Sequence, residues 1–351
     1  MGPFAGYEMP IVYTGIADEH RAVRSNVGIF DVSHMGRLRF HGDRGIDALR
    51  LLTTIDVTSV PVEHARYGMV LNDHAGIIDD VFLYTVAEND RILVVNASNR
   101  NTVLAHMEKL GIRSAAIDET DDTGMLAVQG PHTRDILKRV IPGADLPDFS
   151  NRIVSTRWEA FDLFVATTGY TGEDGCEIIA ANPAIETLWD RFVEAGAVPA
   201  GLGARDTLRL EVAYPLHGHE LSPEITPVQA GLTWAVAAKN ERFHGRDAYI
   251  AARSQSVPKL VGIRTRGRGV PRAEYSVVGD GVRIGQTTSG TFSPSLKTGI
   301  ALAYVDLASA TPGTTVSIVS DTAPNRPMEA EIVDLPFYRE GSRRPSRKSG
   351  I

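Results

Sequence analysis

Apolar and polar residues alternate over short runs along most of the chain, and the runs end at glycines and aspartates, which is the pattern of β-strands. RLRF at 37–40, RILVVNAS at 91–98, MLAVQG at 125–130, LFVATTG at 163–169 and CEIIA at 176–180 each predict a strand. Ile77–Thr85 predicts another, interrupted by Asp79 and Asp80, with a turn at Ala87–Asp90 leading back into 91–98. Between these runs the spacing lengthens to that of helices. Residues 99–109 follow a cap at Ser98 or Asn99, and 132–141 follow Gly130-Pro131. Residues 184–196 stop at a glycine, and 200–213 carry apolar Leu208, Leu210 and Val212.

From about Ser254 the texture changes. KLVGIR, GVRIGQTTSG, IALAYV and TTVSIV are separated by glycine turns such as Val278-Gly279-Asp280-Gly281, which predicts a small all-β domain after a linker at 252–259. The class is therefore α+β followed by an all-β module. Residues 340–351, EGSRRPSRKSGI, are polar and basic and are expected to be a disordered tail.

Composition narrows the function classes. With 43% hydrophobic and 23% charged residues, the 351-residue chain has the make-up of a globular protein with more than one domain. A net charge of -7 argues against nucleic acid, whose phosphates need a basic stripe. The single cysteine, Cys176, forms neither an internal disulfide nor a cysteine zinc site, and it reads as a packed core residue. No apolar run is long enough to cross a bilayer, and the first residues lack the pattern of a secretory signal. A cytoplasmic protein with no membrane partner is the expectation.

Three segments are candidates for chemistry. Asp79 and Asp80 lie inside an apolar strand, where carboxylates are costly without partners. Alternation sends them to opposite faces, so at most one faces a site while the other meets solvent or caps a turn. A structural role for both stays open. The loop Gly169–Glu177, GYTGEDGCE, precedes a strand, so it is not a dinucleotide loop, and it reads as a tight hairpin with Tyr170 and Glu177 near its ends. Arg205 and Arg209 share one helical face, Arg209 with Asp206 or Glu211 within pairing range, and a bidentate arginine suits a carboxylate ligand. His217-Gly218-His219 resembles a metal pair, but no further ligand cluster accompanies it and no metal site is expected. Trp234 and Phe243 read as core.

Taken together, the motifs resemble the glycine cleavage T-protein family. PFAGYEMPIVY at 3–13, GIFDVSHMG at 28–36, LNDHAGIIDDVFLY at 71–84 and LAVQGP at 126–131 carry the resemblance. GYTGEDGCE at 169–177, GLGARDTLRLE at 201–211, TPVQAGLTW at 226–234, TSGTFSPSLKTGIALAYV at 288–305 and PFY at 336–338 continue it in family order. One departure is His74-Ala75-Gly76 in place of the family's common glycine pair.

The resemblance implies a three-domain cloverleaf around a central folate site. Residues 1–255 would form the folate-binding catalytic region as two interleaved domains, the second at roughly 50–135, and 256–339 a barrel-like domain. It implies that Asp80 is the catalytic aspartate, beside the reactive nitrogens of tetrahydrofolate. It also implies folate contacts from Met35, Tyr67, Tyr84, Tyr170, Glu177, Arg205 and Tyr214. Arg205 suits either the anionic glutamate end of the folate or a network orienting Glu177. The expected activity is aminomethyl transfer, with tetrahydrofolate as co-substrate and a lipoylated H-protein as partner. The alternatives are a folate-dependent demethylase of another methyl donor and a non-enzymatic folate-binding protein.

Overall fold

The structure is a computed structural model, and it describes residues 1–237 and 239–343. A short hairpin, β1 (Gly2–Phe4) and β2 (Tyr7–Met9), precedes helix α1 (Ile16–Ser25) and strand β3 (Gly28–Asp31). The chain then runs through β4 (Gly36–His41), α2 (Gly42–Leu52), β5 (His64–Leu71), β6 (Ile77–Ala87), β7 (Asp90–Val95), α3 (Arg100–Lys109) and β8 (Ala116–Asp118). Next come β9 (Thr123–Gln129), α4 (Thr133–Val140), β10 (Ile153–Trp158), β11 (Phe161–Ala166) and β12 (Gly175–Ala181). Helix α5 (Asn182–Glu194), β13 (Val198–Pro199), α6 (Leu202–Glu211) and α7 (Arg246–Ala252) complete the first part. Six strands follow: β14 (Lys259–Thr265), β15 (Ser276–Gly279), β16 (Val282–Ser293), β17 (Thr298–Val305), β18 (Thr315–Val319) and β19 (Met328–Val333).

Two sheets and a closed barrel result. One sheet has the order β10-β11-β12-β9-β3-β13, the other β5-β6-β7-β4-β8, and the barrel closes as β14-β17-β16-β15-β18-β19. The second sheet is thus inserted between β3 and β9 of the first. It spans 36–118 rather than the roughly 50–135 expected: β4 pairs with β7 and β8, whereas β9 pairs with β12 and β3. Alternation identifies a strand, but it does not say which sheet the strand joins.

The period-2 pattern shows how the layers stack. In β9, Leu126 and Val128 pack with α4 and α5, while Met125 and Ala127 face the other way, into a cluster shared with Ile92 and Val94 of β7 and Tyr84 of β6. In β7, Leu93 and Val95 turn to α2 and α3. The two sheets are therefore packed face to face, each with helices on its outer side. Both faces of β9 are covered, which is why it reads as one apolar run. Each fully buried aliphatic side chain in these layers contributes roughly 1.5–3 kcal/mol. Helix α6 closes one end: Ala204 and Leu208 enter the cluster between the sheets, and Leu210 packs on Ile300 and Leu302 of the barrel.

Where the sequence departs from the family's glycine pair, Ala75 holds the left-handed backbone conformation (φ 62). The next position has no such latitude, because a Cβ on Gly76 would lie 1.7 Å from the carbonyl oxygen of Pro223. The tail expectation is corrected at its start. Ser342 donates to Glu173 of the β11–β12 loop through its N–H (2.8 Å) and its hydroxyl (2.5 Å), and Arg343 donates to the hydroxyl of Tyr214 just after α6, so Ser342 and Arg343 are tied to the body of the protein. Residues 344–351 lie outside the described residues. Among the described residues, no helix is long and apolar enough to cross a membrane.

Candidate functional site

The face of β6 that looks between the sheets carries Asp80, Phe82 and Tyr84, and these side chains line a cavity of about 770 Å³. The opposite parity, Asp79, Val81 and Leu83, looks toward α2 and α3. The cavity is closed by Tyr170 and Glu177 from the β11–β12 hairpin, by Arg205 and Arg209 of α6, by the loop at 215–219, and by Ser289 and Gly290 of the barrel.

Asp80 is held at both oxygens. The Tyr67 hydroxyl donates to Oδ2 (3.0 Å), and Asn96 Nδ2 donates to Oδ1 (2.8 Å). Tyr67 comes from the neighbouring strand, where it pairs with Phe82 and leans diagonally to Asp80. Asp79 does not face solvent, which corrects one of the two expectations for it; it is fully buried. It accepts from the Asn96 N–H (2.9 Å), Asn96 Nδ2 (2.8 Å) and Asn99 Nδ2 (2.6 Å), and so fixes the turn into α3. The alternation argument holds for the faces but misses Asn96, whose amide touches both carboxylates. Burial raises both carboxyl groups above the ordinary range, and Asp79 is raised further by the charge of Asp80.

At the far side, Glu177 projects from β12 while its neighbour Cys176 is buried in the helix-side core. Glu177 Oε2 accepts from Thr168 Oγ1 (2.5 Å) and Tyr84 OH (3.2 Å), and no described residue donates to Oε1. Arg205 lies over the Tyr170 ring, 4.9 Å from its centre, and its buried Nη1 has no hydrogen-bond partner among the described residues. A buried, unsatisfied guanidinium nitrogen at a cavity wall is set for an acceptor supplied by a ligand. Arg209 is committed elsewhere, to Asp206 (2.8 Å), Glu220 (2.8 Å) and Ser289 (2.7 Å). Its expected alternative partner, Glu211, is held by Arg24 instead.

Of the residues expected to contact folate, Met35, Tyr67, Tyr84, Tyr170, Glu177 and Arg205 line this cavity together with Asp80. Tyr214 stands one layer behind: it stacks on Tyr170 at 5.8 Å and is held there by Arg343. Trp234 is not core. It is 70% exposed and stacks on Tyr67 at 5.6 Å, whereas Phe243 is buried as expected. Sequence reasoning missed Asn96, which ends an apolar strand just before a helix, a position where asparagine side chains bond nearby backbone. It also set aside His217, which lines the cavity.

Residues 1–240 match the family model described as the GCVT N-terminal domain, and residues 259–339 match the glycine cleavage T-protein C-terminal barrel domain. The chain belongs to the glycine cleavage T-protein family. An aminomethyltransferase of Rubrobacter xylanophilus is 43% identical, over 96% of this chain and 90% of that protein. One from Symbiobacterium thermophilum is 39% identical, over 98% of this chain and 95% of its own. The crystal structure of the glycine cleavage system aminomethyltransferase T of Bartonella henselae superposes with a TM-score of 0.89 at 31% identity, covering 99% of this chain and 95% of that one. The T-protein family thus accounts for the inserted sheet, α6 and the barrel as one continuous architecture.

Proposed function

We propose that the protein is a tetrahydrofolate-dependent aminomethyltransferase. It takes the methylene carbon of an aminomethyl group carried on the lipoyl arm of an H-protein, joins it to tetrahydrofolate and releases ammonia. Family membership supports the reaction class. The observation that carries the site reading is the polarity of one cavity: a carboxylate with an open oxygen, Glu177, on one side, and the caged Asp80 on another. Its volume of about 770 Å³ lies within the usual range for ligand pockets.

In this reading the pterin donates its amino group and ring N–H to Glu177 Oε1. Tyr67, Tyr84, Tyr170 and Met35 supply flat or adaptable apolar surface for the rings. Arg205 Nη1 takes an acceptor on the folate. Because Glu177 is already oriented by Thr168 and Tyr84, Arg205 is not needed to orient it. Asp80 faces the reactive nitrogens and stabilises the positive charge that develops as the carbon–nitrogen bond to ammonia breaks.

The deciding assay supplies tetrahydrofolate and H-protein loaded with the aminomethyl intermediate. Ammonia and methylenetetrahydrofolate in equal amounts are expected. Folate binding without ammonia release would sink the reading and point to a demethylase.

Glu177→Gln tests the pterin contact separately. The amide oxygen keeps the bonds from Thr168 and Tyr84, which turns the NH₂ group toward the pterin's own donors. Two donors then face each other, at a cost of about 1–3 kcal/mol, or roughly 5–150-fold in tetrahydrofolate affinity. Turnover at saturation is expected to change far less. An unchanged dissociation constant by titration calorimetry would remove Glu177 from the pterin.

A further inference from the structure

The reaction proposed above takes one proton from each of two folate nitrogens and delivers one to ammonia and one to a thiol. A single carboxylate holds one proton at a time, so a second carrier beside Asp80 is useful. Most titratable groups at the cavity are unsuited. Burial raises the Tyr67 and Tyr170 hydroxyls, so both keep their protons at neutral pH. Burial and then the Arg205 charge bring His34 down to about 4, so it stays neutral. Arg205 and Arg209 do not give up protons, and Glu177 is taken up at Oε2 by Thr168 and Tyr84 and, in the reading above, at Oε1 by the pterin's donors.

His217 remains. Its Nε2 lies 3.1 Å from the carbonyl oxygen of Ile77, an acceptor only, so Nε2 carries the hydrogen. That bond anchors the ring to β6, three residues before Asp80 along the same strand. It leaves Nδ1, for which no described hydrogen bond exists, as the nitrogen free to exchange a proton. The ring lines the same cavity as Asp80. The other histidine of the loop, His219, is exposed and turns its Nδ1 to the carbonyl oxygen of Thr288 (2.9 Å).

We propose that His217 is the second proton carrier, giving a proton from Nδ1 to the departing ammonia and recovering one from the attacking folate nitrogen. The proposal rests on the aminomethyl-transfer reading. As the carbon–nitrogen bond breaks, its electron pair leaves with nitrogen, which takes the Nδ1 proton. The carbon, still bound to sulfur, is cationic beside Asp80. The first folate nitrogen forms the new bond and returns a proton to Nδ1. The carbon–sulfur bond then breaks with its pair on sulfur, the second folate nitrogen closes on the carbon, and its proton passes by way of Asp80 to the thiolate. Two protons leave the folate and two are delivered, with nothing oxidised or reduced.

His217→Gln is the test, because a glutamine amide can still donate to Ile77 yet does not titrate. Its tetrahydrofolate affinity is expected to stay within about threefold of wild type. Turnover should fall about 100-fold or more, and one limb of the pH profile of kcat should disappear. In His217→Ala, added imidazole should restore part of the lost rate. A glutamine variant with near-normal turnover and an unaltered pH profile overturns the proposal. So does a loss of rate matched by an equal loss of folate affinity without imidazole rescue, since that marks a structural role. Wild-type protein that releases no ammonia from the loaded carrier overturns the functional reading as well, which separates the two failures.

Discussion

Asp80→Asn is expected to bind tetrahydrofolate within a few-fold of wild type and to lose about a thousandfold in turnover, roughly 4 kcal/mol of transition-state stabilisation. The substitution keeps the shape of the side chain. The oxygen of the new side-chain amide still accepts one of the two bonds that the Asp80 carboxylate receives from Asn96 and Tyr67. The Tyr67 hydroxyl turns to accept from the new NH₂ group, because a phenol both donates and accepts. What disappears is the negative charge facing the cation. Because the site is buried, that charge is little screened and acts strongly on its neighbour. Burial also raises the Asp80 carboxyl, so in wild type the rate should begin to fall at a higher pH than for an ordinary carboxylate as acid is added. Kinetics from about pH 5 to 8, with folate affinity measured in parallel, separate charge from binding. Asp79→Asn is the comparison. It sets an NH₂ group against the Asn96 and Asn99 donors, so its effect should appear first as lost stability. Unimpaired turnover in Asp80→Asn would remove the carboxylate from the chemistry.

The contrast between these neighbours shows how far the sequence is readable. Parity along β6 separates the two aspartates without any structure, because strand geometry sends successive side chains to opposite faces. Parity likewise puts Glu177 and Cys176 on different faces of β12, and the turn-separated strands from Lys259 onward read as an all-β module, the closed barrel. The rest depends on distant pairing. Nothing local to RLRF says that its strand joins β7 and β8, so the limits of the inserted sheet differ from the expected ones. Nothing local to Trp234 says that its ring lies on Tyr67 at the surface rather than in a core. Nothing local to Tyr214 says that it stacks behind Tyr170 and meets Arg343, or that Ser342, in a stretch that reads as a polar tail, bonds Glu173 from across the molecule. The resemblance to the T-protein family supplies the assembly of these parts, and the physical reading of each residue then explains what it does there.

Glu211→Gln carries the largest expected effect on stability. Glu211 ends α6 and is fully buried, at the junction of α1, α6 and the barrel. It accepts from Arg24 (2.8 Å), from Ser293 (2.5 Å) and from Ser295 (2.8 Å), and His20 lies 3.2 Å away. Burial alone would raise this carboxyl, but His20, Arg24 and Ser293 outweigh it and bring it down from 4.5 to about 2. A carboxyl lowered by folding stabilises the protein fully above its unfolded value of 4.5, and that stability is lost as pH falls from there toward about 2. The shift corresponds to about 3 kcal/mol at neutral pH. Removing one partner of a buried ion pair costs about 3–5 kcal/mol, because Arg24 stays buried with part of its compensation gone. Arg24 retains Glu173 (2.8 Å), which favours the lower end of that range. Denaturant unfolding at about pH 7 should therefore show the variant about 3 kcal/mol less stable. The gap should narrow steadily as pH drops below 4.5, since the wild-type carboxylate is then being neutralised as well. A gap that is the same at about pH 7 and about pH 3.5 would mean that packing, not the charge of Glu211, holds this junction together.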